Sequence, residues 1–241
     1  MPYEHIHYLP VSWPLFAALA LVIVLLAILI QLQILHSVYM SLGVSSGVAL
    51  LLLIGTLVGS TINVPLVQLY EPRVVHATEI DSFGEAYQTP AVVDWPGTII
   101  AANVGGAIIP AAMSLYLLLR FGFWGRGAIA VTVVTLLCHA LARPVPGLGI
   151  ALPAFAPGIA AGVVALLLSR RLAAPIAYVS GSLGVLIGAD LMNLGQLQTM
   201  GASVASIGGA GTFDGVFLAG VIAVVIASLS PFHRRTAEAR R

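Results

Sequence analysis

The sequence predicts an all-α polytopic membrane protein of about seven transmembrane helices with a short β-rich flap on the outer side. Three observations predict it. Of 241 residues, 59% are hydrophobic and only 8% charged, whereas soluble domains are about half apolar and about a quarter charged; mean hydropathy is +1.04. The apolar residues gather into stretches long enough to cross about 30 Å of hydrocarbon. The arginines between those stretches fall mostly on one side.

Residues 1–13 carry Glu4, His5 and His7 but no Arg or Lys. The run after Pro14 lacks a small-x-small exit, so it reads as a retained first span over about 14–35 and not as a leader. A second span follows at about 43–61. Segment 64–96 is the outer flap: Glu71, Glu79, Asp81, Glu85 and Asp94 stand against Arg73, and β-branched and aromatic residues are broken at Pro72, Gly84 and Pro90. That pattern suggests a strand hairpin. Spans at about 98–119, 127–142 and 149–169 come next. Pro144, Pro146, Pro153 and Pro157 suggest kinked or re-entrant backbone between the last two. Span six covers about 172–192, an uncharged Gly/Ser/Ala-rich outer loop 195–211, and span seven 214–231. Together they make one integral membrane domain over 1–241, within a range of six to eight spans.

Seven spans place Arg120, Arg126, Arg170, Arg171, Arg234, Arg235, Arg240 and Arg241 on one side and only Arg73 and Arg143 on the other. Positive charge collects in cytoplasmic loops, so the N-terminus is expected outside and the C-terminus in the cytoplasm. Trp13, Trp95 and Trp124 lie beside span ends, as interfacial anchors do.

The composition also excludes functions. A net charge of +1 without a single Lys leaves no footprint for a nucleic-acid backbone. One cysteine, Cys138, makes neither an internal disulfide nor a Cys-rich metal site. No metal-ligand spacing is present, and Gly208 to Gly211 lacks the Lys-Ser/Thr ending of a phosphate loop; neither a metal nor a cofactor is expected. The expected partners are the lipid bilayer and either a membrane peptide or a small solute or ion.

Ionisable residues near hydrocarbon are costly, and each is therefore a functional candidate. Asp190 lies at the outer end of span six and Asp214 at the outer start of span seven. Consecutive helices are usually neighbours, so the two carboxylates could share one proton and work as general acid and base. The same leaflet receives Asn63, Asn103, His139, Arg143, Asn193 and Thr212 as candidate substrate-binding groups, whereas the inner half is almost bare of polar residues. The bland reading stands beside this one. Asp214 at a helix N-terminus favours its own charge, Arg143 could neutralise either Asp, and the amides are ordinary helix-packing groups. The leading expectation is an intramembrane aspartyl hydrolase cleaving peptide bonds near the outer face. The alternatives are a transporter or ion-conducting protein using the same cluster, and a non-catalytic membrane scaffold.

The stretches Asn103-Val104-Gly105-Gly106, Ala142-Arg143-Pro144-Val145-Pro146-Gly147, Ala174-Pro175-Ile176-Ala177-Tyr178-Val179-Ser180-Gly181, Gly188-Ala189-Asp190-Leu191 and Gly208-Gly209-Ala210-Gly211-Thr212-Phe213-Asp214-Gly215 resemble a family of prokaryotic multi-pass membrane proteins of unknown function, from about Asn63 to Ala227. The resemblance implies a cytoplasmic (inner) membrane protein of a prokaryote and no particular activity. More loosely, the Asp pair is similar to that of presenilin-like and signal-peptide-peptidase-like intramembrane proteases. Asp190 matches their first Asp, with Ala189 in place of the preceding Tyr. Asp214 follows Gly209-Ala210-Gly211 with two residues inserted, and the Pro-Ala-Leu motif of those families has no counterpart after span seven.

Overall fold

The structure, a computed structural model, describes residues 13–69, 73–80, 86–93, 98–145, 149–195, 204–209 and 215–229. Among these residues seven α-helices dominate: α1 (Trp13–Ser41), α2 (Ser46–Gly59), α3 (Ile109–Phe121), α4 (Trp124–Leu141), α5 (Ala156–Leu168), α6 (Ala173–Val185) and α7 (Gly215–Ser228). Counting the turns continuous with α3 and α6, three helical segments are long and apolar enough to cross a membrane among the described residues: Val104–Phe121, Trp124–Leu141 and Ala173–Asn193.

Local chemistry sets the helix ends. Gly43, at φ +81°, turns the chain between α1 and α2, a left-handed conformation that costs glycine little. Gly122, at φ +63°, does the same after α3, and its N–H bonds to the Leu118 carbonyl. Pro110 stands where the π turn gives way to α3, and its missing N–H interrupts the regular helical ladder at that junction.

The apolar stretch 98–119 divides at Asn103. Its first part is strand β4 (Thr98–Asn103), and only then does a wide π turn (Val104–Ile108) lead into α3. The split follows from pairing. β4 runs antiparallel to β1 (Asn63–Leu69), with Asn63 opposite Asn103, and its β-branched Thr98, Ile99 and Ile100 suit a pleated surface. Pro65 lies beside a register irregularity on β1, an outer strand of its sheet, where a missing N–H is tolerated. A hairpin of β2 (Arg73–Ile80) and β3 (Ala86–Val93) lies between them in sequence, within the segment where strands are expected. β5 (Arg143–Val145) and β6 (Gly149–Ala151) pair after α4. Strand β7 (Val204–Ile207), in the segment expected to be a plain loop, pairs parallel with β4 and completes a three-stranded sheet, β1-β4-β7.

Helix α6 is the hub. Twelve of its thirteen residues, all but Leu183, are buried, and it packs against α4, α5 and α7. Small residues make the approach close. A Cβ on Gly181 would stand 3.0 Å from the Ala219 carbonyl oxygen, and one on Gly184 would press on Val134. Gly158 and Gly162, one turn apart on α5, receive Ile222 and Ile226 of α7. The outward faces carry large apolar side chains, among them Leu51, Leu119, Leu136 and Leu167, the last 81% exposed.

Candidate functional site

The site grows from the junction of β4 with the π turn before α3. Asn103, 2% exposed, is the N-cap of that turn, and its Oδ1 accepts the Gly106 N–H at 2.8 Å. Its Nδ2 donates to the Ser60 carbonyl at 2.8 Å and to Asn63 Oδ1 at 3.0 Å. Asn63 Oδ1 also accepts the Ser206 hydroxyl at 2.6 Å. One buried amide and two partners thus tie together the end of α2 and all three strands of the sheet. A buried amide is retained only when bonded in this way.

Asp190 ends a second π turn, Leu186–Asp190, that continues α6. Such wide turns interrupt the regular helical ladder and are frequent at functional sites. The carboxylate Oδ2 accepts the main-chain N–H of Gly208 at 2.7 Å. A carboxylate near a helix C-terminus opposes the helix dipole; the Gly208 N–H offsets that repulsion directly. Asn193 offsets it indirectly, because its Nδ2 donates to the Gly188 and Ala189 carbonyls at 3.0 and 2.9 Å and satisfies acceptors that the helix end exposes.

Gly208 and Gly209 join the two halves. Gly208 has φ +74°, and a Cβ there would lie 2.6 Å from both the Ala107 nitrogen and the Gly106 carbonyl carbon. A Cβ on Gly209 would meet Ser206 Oγ and the Asn103 side chain. The segment after β7 therefore lies between the two π turns, with the Asp190 carboxylate on one side and the Asn103 amide on the other. Ser206, Gly208 and Gly209 were not among the sequence candidates. The Gly-Gly pair after the Val-Ala-Ser-Ile run of β7 is the signal that points to them, since paired glycines mark close backbone approach.

Of the candidates, Asn63, Asn103 and Asp190 come together. Asn193 is 4% exposed, and its Nδ2 bonds stay within its own helix end. His139 and Arg143 are exposed, and among the described residues no hydrogen bond or ion pair joins either to Asp190, so Arg143 does not neutralise that carboxylate here. Thr212 and Asp214 lie outside the described residues, and with them the distance between the two Asp side chains. Among the described residues no three His, Cys, Asp or Glu side chains group as metal ligands.

A chemically spare arrangement results. One carboxylate, fixed by a main-chain N–H, stands at a broken helix end beside a satisfied amide network; it can take up a proton or bind a cation, and with a second carboxylate it could serve acid–base chemistry. Fold and site together define a class: a helical bundle with three helices long and apolar enough to cross a membrane among the described residues, one end of which carries a small sheet that anchors the Asp190 carboxylate. The chain belongs to the protein family of unknown function DUF1614, which it matches over residues 57–226. No curated protein and no solved structure matches it significantly.

Proposed function

We propose that this chain is an integral membrane protein that moves protons or a small cation, with Asp190 as the coupling carboxylate. The observation that carries the reading is the setting of Asp190: the single carboxylate on the described helices, at a π turn, bonded to the main chain of Gly208 and, among the described residues, to no cation. Carboxylates kept inside apolar bundles without a basic partner are characteristic of proton and ion pathways, and interrupted helices are usual at transport sites. The bundle interior adds support. The hydroxyls of Ser114, Thr135 and Ser182 are buried with no hydrogen-bond partner among the described residues, and they put polar groups inside an otherwise apolar bundle. The apolar outward faces fit lipid and would be a liability in water.

The reading keeps seven crossings, the N-terminus outside and the arginine-rich side in the cytoplasm, in the inner membrane of a prokaryote. It is tested with the purified protein in liposomes holding a pH-sensitive dye, under imposed proton, Na⁺ and K⁺ gradients. The wild type moves the ion, Asp190→Asn does not, and Asp190→Glu retains part of the flux. Absence of movement under every gradient, or equal flux in Asp190→Asn, overturns the reading.

A second reading, peptide-bond hydrolysis by an Asp190–Asp214 pair, is favoured by one observation. Gly208, which holds Asp190, precedes Asp214 by six residues, a length of chain that reaches at most about 21 Å. Asn63, Asn103 and Thr212 would then position substrate. Retained cleavage of a single-span membrane peptide by both Asp190→Asn and Asp214→Asn rejects it.

A further inference from the structure

We infer that the groove between α2 and α3, at the end of α3 remote from Asp190, binds an anionic phospholipid, with Arg120 taking the phosphate and an acyl chain lying along the apolar floor. This inference rests on the membrane reading above and adds a ligand that the transport reading does not contain. The groove encloses about 840 Å³ and is walled by Val48, Leu52, Ile109, Ala112 and Met113, with Arg120 and Tyr116 also lining it. Arg120 lies twelve residues beyond Ile108, about 18 Å along the helix, so this is a different end of the bundle from the carboxylate.

Arg120 is held ready for an anion. Its Nη1 donates to the Gly43 carbonyl at 2.7 Å and to the Tyr116 hydroxyl at 2.6 Å. The guanidinium also stacks 5.3 Å from the centroid of the Phe121 ring. Both bonds use one nitrogen, and the guanidinium has five N–H donors in a planar fork suited to phosphate. Among the described residues no carboxylate pairs with it, and residues 5–70 and 98–189 contain neither Asp nor Glu. Ser45, which caps α2 without a side-chain bond to that helix, lines the groove too, so a positive helix end lies near the cation.

The occupant follows from the combination of charge and wall. A hydrated inorganic anion would satisfy Arg120 but leave the apolar walls wet, whereas a phospholipid satisfies both. Arg120 also belongs to the arginine-rich side, and cytoplasmic leaflets are rich in anionic lipid.

The test uses the full chain, purified in mild detergent and titrated with phosphatidylglycerol or phosphatidylcholine while bound lipid is counted by native mass spectrometry. Phosphatidylglycerol is expected to bind about tenfold more tightly, and Arg120→Gln to bring the two lipids to parity. Ala112→Trp fills the groove without touching the cation and lowers bound phosphatidylglycerol; Arg126→Gln, outside the groove, leaves it unchanged. Equal binding of the two lipids by the wild type overturns the inference. So does unchanged phosphatidylglycerol binding in both Arg120→Gln and Ala112→Trp, or full displacement by inorganic phosphate. Alkaline carbonate extraction of native membranes separates the two levels. A chain that stays in the membrane without lipid preference defeats the lipid site alone, and a chain that is released defeats the membrane reading.

Discussion

The main-chain N–H of Gly208 donates to the Asp190 carboxylate at 2.7 Å, and these two residues hold the sheet against the end of the central helix segment. Gly208 can do so because its φ of +74° and lack of a Cβ let it lie on the Gly106–Ala107 peptide. Gly208→Ala therefore combines a left-handed backbone cost of about 1–2 kcal/mol with overlap against main chain that cannot give. Loss of more than about 2 kcal/mol is expected. Thermal unfolding in detergent measures it, and an unchanged midpoint would show that the segment after β7 is not held as described.

Asp190→Asn keeps an oxygen acceptor for Gly208 while removing the ionisable group. Its unfolding midpoint should stay within a few degrees of wild type, and ion flux should be lost. A variant that unfolds instead would make Asp190 a structural residue.

Asn103→Leu removes the bonds to Ser60, Asn63 and Gly106 together and leaves buried donors and acceptors unpaired, a cost of about 2 kcal/mol or more. Asn63→Ala is expected to be milder, because Asn63 is exposed. A double-mutant cycle between Asn63 and Asn103 measures their coupling; additive effects would count against the amide bond.

Gly105→Ala and Gly125→Ala make a paired comparison of helix contacts. A Cβ on Gly105 would press into the Thr56 carbonyl and Ser60 at the end of α2, whereas one on Gly125 meets nothing within 4 Å. The first should loosen α2 from the π turn and lower the unfolding midpoint. The second should leave stability unchanged or raise it by about 0.5–1 kcal/mol.

Cys138, the sole thiol, is 0% exposed. A membrane-permeant maleimide should label it slowly in the folded protein and rapidly once α4 separates from its neighbours. Fast labelling under native conditions would contradict its burial.

Much of this protein is written locally. The absence of Asp and Glu from residues 5–70 and 98–189, the runs of Leu, Val, Ile and Ala, and the breaks at Gly43 and Gly122 are properties of short stretches. A helix reads them through its own hydrogen bonds, and that is why a mostly helical chain with long apolar helices, and strands within 64–96, could be expected from residues alone. The candidates Asn63, Asn103 and Asp190 were visible for a similar reason, since a polar group at the edge of an apolar run is conspicuous wherever it packs. What they touch was not visible. Asn63 and Asn103 are 40 residues apart, and Asn63 and Ser206 are 143 apart; no periodicity spans such distances. The conversion of 98–103 into a strand depended on β1 and β7 arriving beside it, because an apolar β-branched run serves helix or sheet equally until a partner accepts its N–H groups. The bond from Gly208 to Asp190, and the lack among the described residues of a bond from His139 or Arg143 to it, were likewise decided by packing: a side chain's neighbours are set by how whole elements stack, which only the tertiary structure resolves.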